Sequence, residues 1–160
     1  SKCRGWSSQW PQKRCCIFTP HPGEMARLLG EETVTDEPSR LGQVQTLCAQ
    51  TRGVCLLKGA GTLVAVSQEG GCEVWQNTTG GPALAKAGSG DVLSGLIAGL
   101  WAQLGQAQGW NVESAKKAAL CGVYLHGLAG DLAALKRTDY SVLARHTAES
   151  IAQAFAEVLQ

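Results

Sequence analysis

The junction at residues 87–92 constrains this chain more than any other stretch. Small residues, Gly88-Ser89-Gly90, pass through Asp91 directly into a strong helical repeat. From there Val92, Leu93, Leu96, Ile97, Leu100 and Leu104 recur at helical spacing and lay one apolar stripe along a helix. The first amides of a helix lack partners within it, and its start carries about half a positive charge. Glycines at that point leave no side chain in the way. A helix start of this kind needs a rigid framework beneath it, and the rest of the chain reads as one.

Cys15-Cys16-Ile17-Phe18 is a short apolar run that suits a buried strand. The prolines of Thr19-Pro20-His21-Pro22-Gly23-Glu24 stiffen the loop that follows. A short helix is expected at about residues 23–29, ending at Gly30. Asp36-Glu37-Pro38 predicts a second helix start, with Leu41, Val44, Leu47 and Cys48 on one face and Gly53 closing it. Residues 54–57 are continuously apolar, as in a parallel strand buried on both faces. Lys58-Gly59-Ala60-Gly61 turns the chain, residues 62–66 are β-like, and Gly70-Gly71 marks a hairpin returning through Val74-Trp75. Residues 77–90 are glycine-rich and lack a helical stripe. In the helix that follows, Gly95 and Gly99 predict close helix packing. An Ala- and Gly-rich helix is expected at about 114–135. A last one is expected at about 141–159, built on Val142, Leu143, Ile151, Phe155 and Leu159. Residues 1–14 show no period and read as irregular, with their native context in question. Strands alternating with helices imply a layered α/β fold.

Composition narrows the function classes. With 160 residues, 44% apolar and 17% charged, the chain has the balance of one globular domain with a real core. A net charge of +1 gives no broad attraction to nucleic acid or to an anionic membrane. The 7 cysteines are odd in number and contain no C-x-x-C pair, which points to reduced thiols in a cytoplasmic protein rather than a disulfide framework or a zinc site. No apolar run approaches the roughly 20 residues that span a bilayer, and no signal peptide is visible. The first residue is Ser1, so a fragment or a processed form is expected.

The glycine-led helix start suits a phosphate that gains charge during transfer. Asp91, at the same point, suits a base that accepts a hydroxyl proton. A plainer reading has Asp91 capping the helix and the glycines only making a turn. The same pairing of readings holds elsewhere. His21 is a site residue or a loop histidine bonded to backbone, and Lys58 a site residue or an exposed charge at a strand end. His126 reads as a satisfied core histidine and Asp131 as an acid on a solvated helix end. Trp75, Trp101 and Trp110 read as packing residues.

Residues 87–95, Ala-Gly-Ser-Gly-Asp-Val-Leu-Ser-Gly, resemble the anion-hole and catalytic-Asp motif of ribokinase-like enzymes. Three further stretches resemble one group of that superfamily, the ADP- or ATP-dependent NAD(P)H-hydrate dehydratases. They are the Thr19–Glu24 loop, Leu57-Lys58-Gly59-Ala60-Gly61-Thr62, and residues 122–131. Together the four cover about residues 18–134 and stand in family order. The resemblance implies a ribokinase-like three-layer α/β sandwich, with residues 15–160 as the carboxyl-terminal portion of a dehydratase domain. It implies that His21 contacts the hydrated nicotinamide nucleotide. Lys58, Gly59, Ala60, Gly61 and Thr62 would contact the AMP part of ADP or ATP. Gly88, Ser89 and Gly90 would form the anion hole, with Gly90 touching the nucleotide. Asp91 would contact the hydrate and act as base, and Mg²⁺ would accompany the phosphates.

The implied reaction phosphorylates the hydrate's hydroxyl. Loss of phosphate, a far better leaving group than hydroxide, then restores NADH or NADPH. A cytoplasmic homotetramer acting on a small molecule is implied, with no nucleic-acid or membrane partner. This chain is much shorter than a complete domain of that kind, so an open sheet edge is expected. It also has Leu84-Ala85-Lys86-Ala87 where the family commonly has Met-Ala before the glycine-rich run; Lys86 there adds a phosphate contact or sits in solvent. Two other readings remain: a small-molecule kinase of the same superfamily, and a non-catalytic nucleotide-binding remnant.

Overall fold

A computed structural model describes residues 15–159. The irregular stretch expected at residues 1–14 lies outside the described residues. Four strands form one sheet. β1 (Ile17–Phe18) runs parallel to β2 (Val54–Leu57), with Ile17 opposite Val54. β3 (Leu63–Gln68) is antiparallel to β2, and β4 (Gly71–Gln76) is antiparallel to β3, giving the order β1-β2-β3-β4. The expected hairpin turns at Gly70, whose φ of 86° lies in the left-handed region that favours glycine.

β2 explains why the molecule has three layers. All four of its side chains are fully buried, so both faces of the strand must be covered. Val54 and Leu56 pack with Leu93, Ile97, Ala119 and Val123 on one face. Cys55 and Leu57 pack with Met25, Val44, Leu47 and Cys48 on the other. Each fully buried leucine of this strand is worth about 1.5–3 kcal/mol. The first face is covered by α3 (Ser89–Gln108) and α4 (Val112–Ser141), and the second by α1 (Pro22–Leu29) and α2 (Glu37–Thr51). α5 (Ala144–Val158) lies outside α4 and joins it through Leu125, Ala129, Leu132 and Ala154.

Several local expectations change in the structure. α2 starts as predicted, with the Asp36 carboxylate accepting from the Ser39 amide at 2.9 Å. It ends on Arg52 in the left-handed conformation (φ 51°), not on Gly53. Gly53 is small for another reason: a Cβ there would come within 2.6 Å of the Cys16 carbonyl oxygen. That same carbonyl accepts from Val54 N and docks β1 onto β2. Gly95 and Gly99 do not mediate close packing either, since nothing lies within 4 Å of a Cβ built on either. Leu93 and Ile97 set the inward face of α3, and residues two positions further on lie about 200° around the helix. The close approach falls on Gly122 of α4, where a Cβ would meet Ile97 Cγ1 at 2.5 Å.

α4 also runs past its expected end at 135. It kinks at Thr138 (φ 67°, ψ 155°), and α5 begins at Ala144 rather than at 141. By length and composition α4 could cross a bilayer, yet 56% of that window is buried inside the molecule, as a core helix would be. The described cysteines form no disulfide. Burial and a bond to Cys48 push the Cys72 thiol up to about 12, which suits packing rather than reactivity.

The glycine-rich segment before α3 rests on α4. Asn77 Nδ2 donates to Val123 O at 3.4 Å and Thr79 Oγ1 to Tyr124 O at 2.8 Å. Gly80 N donates to Asp131 Oδ2 at 2.9 Å, so Asp131 anchors this segment instead of standing in solvent. A 3-10 turn at Pro82–Leu84 places Leu84 against Gly130. Gly127 admits the Thr79 backbone, whose carbonyl carbon would lie 2.6 Å from an added Cβ. Gly127→Ala is therefore expected to lower stability by about 1–3 kcal/mol, because it lifts this segment off α4. Gly95→Ala, which meets open space, should raise stability by about 0.5–1 kcal/mol. Urea unfolding midpoints of the two variants check the contrast.

Candidate active site

The start of α3 is built from backbone. Gly88 caps it in the left-handed region (φ 84°), and its carbonyl accepts from Asp91 N at 3.1 Å and Val92 N at 3.2 Å. No side-chain hydrogen bond caps this helix. Asp91 stands at its third position as an exposed residue, which removes the capping reading and leaves the carboxylate beside the first-turn amides. Ser89 faces inward and is buried, with Oγ 3.4 Å from His126 Nε2 of α4.

Lys58 reaches the same point from the end of β2. Its own N–H donates to Pro20 O at 2.9 Å, which ties the strand end to the proline-stiffened loop. Its Nζ lies over Gly90, where an added Cβ would come within 3.0 Å. Glu24 answers this charge, with Oε2 3.7 Å from Lys58 Nζ. Between the Thr19–Leu28 segment and α3 lies a cleft of about 470 Å³. Thr19, Pro20, Glu24, Arg27 and Lys58 line one side and Gly90, Asp91 and Ser94 the other, with Phe18 and Leu28 as apolar wall. A contact between Thr19 Oγ1 and Ser94 Oγ at 3.2 Å closes one part of it, while Ser94 Oγ donates to Gly90 O at 2.9 Å.

His21 caps α1. Its Nδ1 accepts from Glu24 N at 3.2 Å, and Glu24 Oε2 accepts from His21 N at 2.7 Å, a reciprocal capping box. His21 does not line the cleft itself; it holds Glu24, which does. Burial opposes the charged form of Glu24. The His21 amide bond and the charges of Lys58, His21 and Arg27 outweigh it and hold the carboxyl below its usual range. Glu24 therefore stays ionised through its ordinary value of 4.5 and keeps both bonds until the medium is more acidic.

Of the residues predicted to bind nucleotide, Lys58 and Gly90 line the cleft together with Asp91. Gly59, Ala60, Gly61 and Thr62 form the turn that leaves Lys58, and Gly88 and Ser89 form the base of the helix start. Gly59 (φ 146°) and Gly61 (φ 59°) adopt conformations that favour glycine, and a Cβ on Gly61 would strike Gln76 Nε2. Glu24 and Asp91 are the carboxylates of the cleft. As hard oxygen donors they fit a magnesium ion that keeps most of its shell as water and phosphate; among the described residues no group of three or more metal-ligating side chains gathers. Two residues of the cleft escaped sequence reasoning: Glu24 and Ser94. Glu24 had a signal, since it stands three residues after His21 at capping-box spacing. Ser94 had none, because its partner Thr19 is 75 positions away.

A family profile described as NAD(P)H-hydrate dehydratase matches residues 7–153. A bifunctional NAD(P)H-hydrate repair enzyme from Moorella thermoacetica is 44% identical over 128 residues, which is 80% of this chain and 22% of that protein. The corresponding Coxiella burnetii enzyme is 36% identical over 133 residues, covering 83% of this chain and 25% of that protein. A solved ADP/ATP-dependent NAD(P)H-hydrate dehydratase from Bacillus subtilis, co-crystallised with ATP and Mg²⁺, superposes with a TM-score of 0.74 at 32% identity. That match covers 89% of this chain and 48% of the other. A ribokinase from Giardia lamblia, at 15% identity and TM-score 0.55, shares the fold. The fold is thus the ribokinase-like one. The chain spans roughly a fifth to a quarter of the curated relatives and about half of the solved dehydratase.

Burial lowers the pKa of His126 from its ordinary 6.5, with a bond to the Ser89 backbone partly opposing this. The fold therefore holds a neutral imidazole under the helix start. Its contribution to stability is complete above pH 6.5. It drains away as the pH falls through the lowered folded value, because the unfolded chain takes up the proton first. His126→Gln should flatten the loss of stability just below pH 6.5, as read from urea unfolding across pH.

Proposed function

The chain belongs to the NAD(P)H-hydrate dehydratase family, and we propose that its cleft serves nucleotide-dependent dehydration of hydrated NADH or NADPH. The observation that carries this reading is the meeting of the Lys58 ammonium, the glycine-led start of α3 and the Asp91 carboxylate in one cleft. In the proposed reaction Asp91 takes the proton of the hydrate's hydroxyl as the hydroxyl oxygen attacks the terminal phosphorus of ADP or ATP, and the bond from that phosphorus to the bridging oxygen breaks to release AMP or ADP. The Gly88–Gly90 backbone and Lys58 stabilise the charge that builds on the transferred phosphoryl group. The C–O bond of the phosphorylated hydrate then breaks, inorganic phosphate leaves with the bonding pair, and loss of a ring proton restores the dihydropyridine. The net change is removal of water across a carbon–oxygen bond, driven by the nucleotide. When bound, magnesium would neutralise charge on the phosphates, with Glu24 and Asp91 as the nearest carboxylates.

His21, which holds Glu24 at the cleft, is assigned to the hydrated nicotinamide nucleotide. Lys58, Gly59, Ala60, Gly61 and Thr62 are assigned to the nucleotide donor, and Gly88, Ser89 and Gly90 to its phosphates. Residues 15–160 are read as the carboxyl-terminal portion of a dehydratase domain, acting in the cytoplasm as a homo-oligomer of four copies. A second reading, nucleotide binding without turnover, is favoured by one fact: the chain covers 48% of the solved dehydratase with which it superposes.

Incubating the chain with hydrated NADH and ADP or ATP, and following the absorbance of the reduced ring, separates the two. Regained absorbance supports the enzyme; calorimetric nucleotide binding without it supports the second reading. Within the first, Asp91→Asn should lower turnover by about 10²–10⁴-fold, the usual worth of a positioned base, with nucleotide affinity nearly unchanged. Undiminished turnover would remove Asp91 from the base role.

A further inference from the structure

Arg40 lies on α2, outside the cleft, yet its guanidinium reaches across to the turn that follows Lys58. Nη1 donates to the Ala60 carbonyl at 2.9 Å and Nη2 to the Gly61 carbonyl at 3.3 Å. The same Nη2 would stand 3.2 Å from a Cβ on Gly59, so the planar group lies along the whole turn. Thr62 Oγ1 donates to the remaining carbonyl, that of Gly59, at 3.1 Å. Three successive carbonyls of a glycine-rich turn are thus each held by a side chain. In a planar trans peptide the carbonyl and the next residue's N–H point in opposite directions. Holding the Ala60 and Gly61 carbonyls on one guanidinium therefore also fixes where the Gly61 and Thr62 amides point, which is away from Arg40. Without that fork, two residues with glycine's freedom and near-glycine size would sample many orientations, and ordering them on binding would weaken affinity.

We propose that Arg40 is the positioning residue of the nucleotide site, holding the turn so that the Gly61 and Thr62 amides stand as donors to the nucleotide. The inference rests on the nucleotide-binding reading of this turn and adds to it a residue on a separate helix. A fork of two charge-assisted bonds suits arginine better than lysine, whose ammonium is a point donor.

Calorimetric titration of ADP into the wild-type chain, Arg40→Ala and Arg40→Lys, alongside thermal melts, tests it. Arg40→Ala should weaken ADP binding about tenfold or more, the scale of one lost charge-assisted bond. Arg40→Lys should recover part of the loss, and both variants should melt close to wild type. Unchanged ADP affinity in Arg40→Ala overturns the assignment. So does a loss of affinity that merely tracks a fall in melting temperature, since a plain structural brace would give that. A wild-type chain that takes up no ADP overturns the nucleotide reading itself, and this inference with it.

Discussion

Two positive features meet at Gly90. The start of α3 contributes about half a charge and the Lys58 ammonium a full one, with an added Cβ on Gly90 only 3.0 Å from Nζ. At an effective dielectric of about 20, half a charge and a full charge about 4 Å apart repel by roughly 2 kcal/mol. Glu24, 3.7 Å from Nζ, offsets part of this, and it is itself held in its charged form by His21, Lys58 and Arg27. What remains is a small, fixed excess of positive potential where the Lys58 ammonium meets the bare backbone at Gly90. An anion relieves it, which is why the chemistry proposed for the cleft begins with a phosphate.

The scaffold exists to keep that approach short. β2 is buried on both faces, so the strand that ends in Lys58 cannot shift without opening two cores. The bond from Lys58 N to Pro20 O locks its end to a loop already stiffened by prolines. On the other side, α3 is seated by Ile97 against Gly122 of α4, and the segment leading into it is laid onto α4 through Gly127 and Asp131. Small residues on α4 thus set the height of the helix start, and Ser89 on buried His126 sets its rotation. The Glu24 capping box and the Arg40 fork do the same work for the two loops that flank the cleft.

How much of this was legible depended on range. The strand at residues 54–57, the helix begun by Asp36 and the Gly70-Gly71 hairpin were readable because each is written in consecutive residues. Lys58, Gly90 and Asp91 stand in motifs that the sequence shows, and the structure brings the three into one cleft. The roles of Gly95, Gly99 and Gly53 were misjudged because a glycine in sequence does not say which neighbour it makes room for. The phase set by Leu93 and Ile97 turns Gly95 and Gly99 outward, and the demand for space falls on Gly122 instead. Asp131 looked like a solvated acid because its partner, Gly80 N, lies 51 positions away. Arg40 and Ser94 were invisible for the same reason. The α4 kink at Thr138 carries no proline or glycine to announce it.

The central claim is that the amide end of α3 at Gly90 receives the phosphate of the nucleotide. An amide-resolved NMR titration of the isotope-labelled chain with ADP and magnesium tests it most directly. The account predicts a saturable shift centred on the Gly90 amide and its neighbours Ser89 and Asp91, while Ala154 on α5 stays in place. Saturating ADP that moves other amides but leaves Gly90 unmoved would contradict it.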